Sequence, residues 1–287
     1  MVETEKRKMK NMNKCWFDYK TVILSGASSG IGKGIAERLI KDHGCKVIGI
    51  ARNEQRLINF KEELGNKGDN FTYYTFDVSQ EEKWQELADT LEKENIKPDI
   101  LINNAGILPK FDKFVNYSID EIRKAMEINF YSCVYSMQAL MPIILKSDCA
   151  AIVNVASSAA LCSLAGTSVY SASKAALKGF TEAVREEHRD NCYIALICPG
   201  FTKTDIFRNQ TKSSDKAQKA MDLISTDCDK MVDYIIKGMW KKREKMVLGM
   251  DAHFMDKGYK LLGTTCSNVS SKVMKISGLD MFKSIFE

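Results

Sequence analysis

At 287 residues, 45% of them hydrophobic and 28% charged, the chain is long enough to bury a sizeable core and too apolar for wholesale disorder. Its formal charge of +5, from 42 Lys and Arg against 37 Asp and Glu, is too small and too dispersed for a nucleic-acid-binding surface. Nine cysteines, scattered and never spaced as Cys-x-x-Cys, argue against a disulfide framework and a zinc site, and read as reduced thiols of a cytoplasmic protein.

In chain order, the first fourteen residues are rich in Lys, Met and Asn and lack the apolar stretch of a secretory signal, so residues 1–18 read as a mobile tail. Short apolar runs at 22–24, 47–50, 71–76, 100–102, 151–155, 193–198 and 246–248 then alternate with longer segments at 31–43, 54–65, 80–95, 118–146, 171–190 and 229–241, which carry apolar residues at helical spacing. Runs apolar throughout are strands buried on both faces, hence a parallel sheet. The pattern predicts an α/β, doubly wound fold: one domain over 19–249 with about seven strands flanked by helices. Pro142 falls inside the segment 118–146 and is expected to kink or end that helix. Residues 203–228, polar and weakly periodic, read as a lid or loop over the substrate, and 250–287 as a helical C-terminal extension of the same domain.

The first strand runs into Ser25-Gly26-Ala27-Ser28-Ser29-Gly30-Ile31-Gly32, then a helix. Glycines 26, 30 and 32 at such a turn let the backbone approach a pyrophosphate at the helix N-terminus, with Ser28, Ser29 and Ile31 alongside; a plain glycine-rich turn is the other reading. The second strand ends without the carboxylate that would bond a ribose 2′-hydroxyl. Arg52 stands there instead, either as a partner for the 2′-phosphate of NADP or as a solvated surface residue. Asp77, next to Val78 after the third strand, is either an acceptor for the adenine amino group or a cap for the helix that follows. Tyr170 and Lys174 are spaced i, i+4 and share a helix face, where an ammonium favours the phenolate and makes Tyr170 a credible general acid and base. His43, His188 and His253 form no ligand-spaced cluster, and no metal is expected.

Ser25 to Gly32, Asn103-Asn104-Ala105-Gly106, Asn129, Ser157, Tyr170-Ser171-Ala172-Ser173-Lys174 and Pro199-Gly200 stand in the order and spacing of one family. From about Lys20 to Leu248 the chain resembles the short-chain dehydrogenase/reductases, of the NADP-preferring type. The resemblance implies a Rossmann fold and hydride exchange with a nicotinamide cofactor, NADP(H) preferred and NAD(H) the alternative. It gives Tyr170 the proton transfer, and Lys174 the two tasks of lowering the phenol's pKa and holding the nicotinamide ribose. Ser157, with Ser158 as the neighbouring alternative, would bond the substrate oxygen, and Asn129 would bond a water in the proton relay. Asn104, Ala105 and Gly106 would lie along the cofactor, Asn103 would bond backbone, and Pro199 and Gly200 with Thr202 or Thr204 would meet the carboxamide. Ser25 replaces the family's usual threonine and keeps a hydroxyl there.

By motif position the pocket would be lined by Leu108, Pro109, Leu161, Cys162 and Phe201, an apolar set that suggests a bulky ketone or alcohol such as a hydroxysteroid; Leu161 and Cys162 also read as core. A short-chain carbonyl or 3-oxoacyl reductase is the alternative, although about forty residues after the last strand disfavour the latter. A nicotinamide-binding redox sensor is the non-enzymatic reading. A homodimer through the helices at 118–146 and 171–190, or a homotetramer, is the assembly the resemblance implies. The apolar residues of 250–287 must bury on their own body, on a partner subunit or at a membrane surface. The basic run Lys241, Lys242, Arg243 and Lys245 suits anionic surfaces or simply the end of a helix.

Overall fold

The computed structural model describes residues 15–204, 206, 225–277 and 282–287; the tail at 1–14 and most of the segment read as a lid, 205 and 207–224, lie outside the described residues. Seven strands, β1 (Thr21–Ser25), β2 (Lys46–Ala51), β3 (Phe71–Thr75), β4 (Ile100–Asn103), β5 (Ala151–Val155), β6 (Tyr193–Pro199) and β7 (Lys245–Leu248), form one parallel sheet in the order 3-2-1-4-5-6-7. Their burial follows position. β4 and β5 are buried at every residue, whereas the edge strands β3 and β7 are only partly buried, β7 alternating.

Helices α1 (Gly30–His43), α2 (Glu54–Glu63), α3 (Glu81–Lys93), α4 (Ile119–Met126), α5 (Ser132–Ile144), α6 (Ser168–Glu187) and α7 (Cys228–Trp240) cover both faces. On one side Ile35 and Leu39 of α1, Leu57 of α2 and Met231, Ile235 and Met239 of α7 pack on Val22 and Leu24; on the other, Trp84 and Leu91 of α3 and Met137 and Leu140 of α5 pack on Ile23 and Leu101. Burying each such side chain contributes about 1.5–3 kcal/mol, well above what helix propensity supplies, so packing holds these helices in place.

The segment at 118–146 is not one regular helix. It starts on a capping box between Ser118 and Glu121, opens into a π turn over Glu127–Tyr131, and resumes as α5, which runs through Pro142 and ends two residues later. Residues 15–18, read with the tail, form a turn packed on the body: Phe17 is fully buried and the Trp16 indole donates to the Met239 carbonyl at 2.8 Å. After β7 come α8 (Met250–Leu262), α9 (Thr264–Ser277) and α10 (Lys283–Phe286). α8 and α9 bury Ala252, Met255, Cys266 and Met274 against the domain, and Phe282, just before α10, is buried too, so the extension does cover itself in part.

Candidate active site

The sheet order reverses between β1 and β4, and at the carboxyl ends of the strands there lies a cleft of about 370 Å³. Its floor at one end is the turn from β1 to α1. Gly26 and Gly30 have φ of +72° and +53°, left-handed values that suit glycine, and a Cβ at Gly32 would run into the Gly26 carbonyl and the Asn104 amide. Gly32 therefore supports the turn from behind, while Gly26, Ser28, Ser29, Gly30 and Ile31 face the cleft. Ser25 does more than keep a hydroxyl: its buried Oγ accepts from the backbone N–H of Asn104 at 3.0 Å and of Ala105 at 3.1 Å, tying β1 to the loop after β4.

Arg52 and Asp77 rim the same end, with Val78 buried beside them. The exposed guanidinium of Arg52 lies 3.5 Å from the Asp77 carboxylate. Asp77 caps no helix, since α3 begins after Gln80. Its carboxylate accepts instead from the N–H and hydroxyl of Ser79 at 3.1 and 2.8 Å. Burial raises its pKa, but the Ser79 donors and Arg52 outweigh that and hold it below the usual value.

At the other end Ser157, Tyr170 and Lys174 converge. Ser157 ends the run after β5, and its Oγ accepts from the Ala159 N–H at 3.2 Å. Tyr170 and Lys174 are one turn apart on α6. Burial pushes the Tyr170 phenol above its usual pKa while its hydrogen bond with Ser157 opposes the shift, so Ser157 is the serine paired with it, although Ser158 also lines the cleft. Burial lowers the pKa of the Lys174 ammonium, and Nζ donates to the Val155 carbonyl at 2.9 Å.

Asn129 sits in the π turn, fully buried and behind the cleft wall. Its amide accepts from the Ile107 N–H at 2.8 Å and donates to the Ile107 carbonyl and to Ser173 Oγ at 2.9 and 3.0 Å. Asn129 thus stands within a distorted helical turn and beside the cleft at once. A Cβ on Gly106 would stand 3.2 Å from Asn129 Oδ1 and 3.3 Å from Lys174 Nζ, so only glycine leaves the two side chains undisturbed there.

Among the described residues the Asn103 side chain bonds side chains rather than backbone. Its amide donates to Asn154 Oδ1 at 2.9 Å and accepts from Ser136 at 2.7 Å, and Asn154 donates on to Thr181 at 2.9 Å. This buried network across β4, β5, α5 and α6 carries no sequence signal, because its members are far apart in the chain. The segment after β6 closes the cleft with Pro199, Gly200, Phe201, Thr202 and Thr204. Beneath it, Asp251 of α8 accepts from the Phe201 N–H at 2.7 Å, and its carboxylate fills the place a Cβ of Gly200 would take.

The apolar wall is only partly the one expected. Leu108 and Phe201 line it. Pro109, Leu161 and Cys162 do not: Leu161 packs with Leu177 and Leu196, and Cys162 is buried against Met255 and Cys266. Phe111, Leu164, Ile206 and Met255 line it instead. Elsewhere Cys15, Asp18 and His43 bring ligand atoms within 4.8 Å of one another, although Asp18 already bonds the Cys15 N–H and His43 Nδ1, each at 2.8 Å.

Comparison with known proteins adds four observations. The sequence profile of the family described as short chain dehydrogenase matches residues 20–215. The chain is 32% identical over 208 residues to the NADP-dependent 3-hydroxy acid dehydrogenase of Schizosaccharomyces pombe, covering 70% of this chain and 80% of that one. It is 30% identical over 199 residues to 3beta-hydroxysteroid dehydrogenase 2 of Eggerthella lenta, covering 69% and 76%. A short-chain dehydrogenase of Streptomyces avermitilis, 24% identical, superposes with a TM-score of 0.73 over 91% of this chain and 97% of that one, a likeness of fold.

Proposed function

The chain belongs to the short chain dehydrogenase family, and from that premise we propose an NADP(H)-dependent oxidoreductase that interconverts a ketone and a secondary alcohol on a bulky apolar substrate, a hydroxysteroid being one candidate. The observation that carries this reading is the convergence of Tyr170, Ser157 and Lys174 at the opposite end of one cleft from the turn of Gly26 and Gly30. That turn fits a nicotinamide dinucleotide: two left-handed glycines and a crowded Gly32 leave a side-chain-free cradle at the N-terminus of α1 for a pyrophosphate. When bound, the cofactor supplies or accepts the hydride.

The chain's own residues do the rest. Ser157 bonds the substrate oxygen and the Tyr170 hydroxyl together; Tyr170 gives that oxygen its proton in reduction and takes it back in oxidation. Lys174 holds the ribose and its charge favours the phenolate once a bound cofactor completes the site, with Asn129 fixing the loop at Ile107 that both pack against. Arg52 reads the 2′-phosphate, in place of a carboxylate at the end of β2. The S. pombe relative, named as NADP-dependent, supports the cofactor, and the E. lenta relative supports a steroid-like substrate. Pairing through α4, α5 and α6 makes the assembly a homodimer.

Tyr170→Phe is the test. The variant is expected to bind NADPH as the wild type does, by nicotinamide fluorescence, and to lose turnover of apolar ketones by about 10² or more. Retained turnover refutes the acid and base assignment.

A further inference from the structure

Helices α8 and α9 form a hairpin joined at Gly263, and each buries one face in the domain: Ala252 and Met255 from α8, Cys266 and Met274 from α9. Met255 and Cys266 share one buried cluster with Cys162, which seats both helices on the domain and leaves the rest of the hairpin as its outer surface. That surface is apolar where solvent normally selects polar residues. Met250, Phe254 and Leu261 fall within about 40° of one another around α8, and Val269, Val273 and Ile276 within about 60° around α9, at roughly 100° per residue. Met250, Leu261 and Ile276 are 90%, 83% and 84% exposed.

Exposed lysines border both stripes: Lys257 and Lys260 on α8, Lys272 and Lys275 on α9. α9 contains no acidic residue, and Asp256, the acid that offsets Lys260 on α8, also pairs with Lys245. Lys257, Lys272 and Lys275 make no ion pair among the described residues. At 13 and 14 residues these helices are too short to cross a bilayer, and among the described residues no helix is long and apolar enough to do so. Apolar stripes edged by cations on short helices match the interfacial plane of an anionic bilayer, where the stripe enters the acyl boundary and the lysines meet headgroup charge. A second copy of this chain is a poorer occupant, because a two-fold contact would set the lysine rows against each other.

We propose that the α8–α9 hairpin docks the protein, in plane, on an anionic lipid surface. This goes beyond the proposed chemistry and does not depend on it.

Flotation of the full-length chain with vesicles of phosphatidylcholine alone, or with phosphatidylglycerol added, tests it. The wild type is expected to float with the anionic vesicles at low salt, and at least roughly tenfold less with neutral ones or in high salt. Two variants, Leu261→Glu with Ile276→Glu, and Lys257→Glu with Lys272→Glu and Lys275→Glu, are each expected to lose at least roughly tenfold in partitioning while keeping the wild-type melting temperature. Absence of wild-type flotation, or equal flotation by both variants, overturns the proposal. So does a lipid-free dimer, seen by sedimentation, that Leu261→Glu with Ile276→Glu abolishes: the second copy is then the occupant.

Discussion

Arg52 and Asp77 share the mouth of the cleft with opposite charges 3.5 Å apart, and the exposure of the guanidinium makes that pair weak. A phosphate would engage Arg52 in two-pronged geometry, whereas NADH offers it nothing. Arg52→Ala is therefore expected to narrow the ratio of NADPH to NADH affinity by roughly tenfold or more, a typical return for a charged hydrogen-bonded contact; an unchanged ratio in fluorescence titrations dismisses the role. Tyr170 gives a second expectation. Its pKa lies above the ordinary tyrosine value, with burial as the leading cause. Alcohol oxidation needs the phenolate, so kcat/KM in that direction is expected to climb with pH up to the alkaline limit of stability. Ketone reduction needs the phenol, so its rate is expected to stay level and fall only at the alkaline end. Profiles measured in both directions check this; an oxidation profile already level at neutral pH shows that cofactor binding lowers the phenol far below its value here.

At the scale of elements, what the sequence made legible is what local pattern encodes. The apolar runs predict all seven strands to within a residue or two at each end, because five of them are buried along nearly their whole length and need no partner information to be read. The π turn at Glu127–Tyr131 escaped, since the cause of the distortion, Asn129 bonding Ile107, is a contact between distant segments. The same holds for Asp251, a residue without motif. It stands at the start of α8, one buried oxygen taken by the Phe201 N–H and the other without a partner among the described residues. Burial raises its pKa, with the Phe201 N–H opposing the shift. A folded-state pKa above the unfolded one means that this group favours folding in acid, and that the benefit is lost as pH rises through the folded value. Asp251→Asn keeps an acceptor for Phe201 without the charge, so it is expected to melt above the wild type at neutral pH, with the gap closing below about pH 4, the ordinary carboxylate range. Asp251→Ala leaves the N–H unpaired and is expected to cost about 1–3 kcal/mol. Melting curves of both variants at the two pH values decide it, and an Asn variant less stable than the wild type at neutral pH contradicts the sign.

For the molecule as a whole, the C-terminal extension belongs to the site as much as to the surface. Motif position gave Leu108 and Phe201; Pro109 lies off the wall, and Leu161 and Cys162 take their core reading, while Phe111, Leu164 and Ile206 complete the wall from inside the family pattern and Met255 from beyond it. Phe111 meets Phe282 edge to face with ring centroids 5.6 Å apart, Ser284 donates to the Phe111 carbonyl at 3.2 Å, and Met274, Ile285 and Phe286 complete a cluster that includes Leu108, Tyr170 and Phe201. Some forty residues after the last strand thus shape the Tyr170 end of the cleft, while the glycine-turn end is built from β1, β2, β3 and the turns that follow them. The two ends are separable. Phe282→Ala removes a buried ring that backs Phe111, and truncating such a ring costs about 3–5 kcal/mol when its surroundings cannot collapse. The expected result is a rise in KM for apolar ketones of roughly tenfold or more, with NADPH affinity within about twofold of the wild type, since the cluster that Phe282 belongs to packs on Leu108, Tyr170 and Phe201 and includes no residue of the glycine turn. Steady-state kinetics paired with cofactor titration measure both quantities on one preparation. Equal losses of ketone and cofactor affinity place Phe282 in the general stability of the domain, and an unchanged KM removes the extension from the substrate wall.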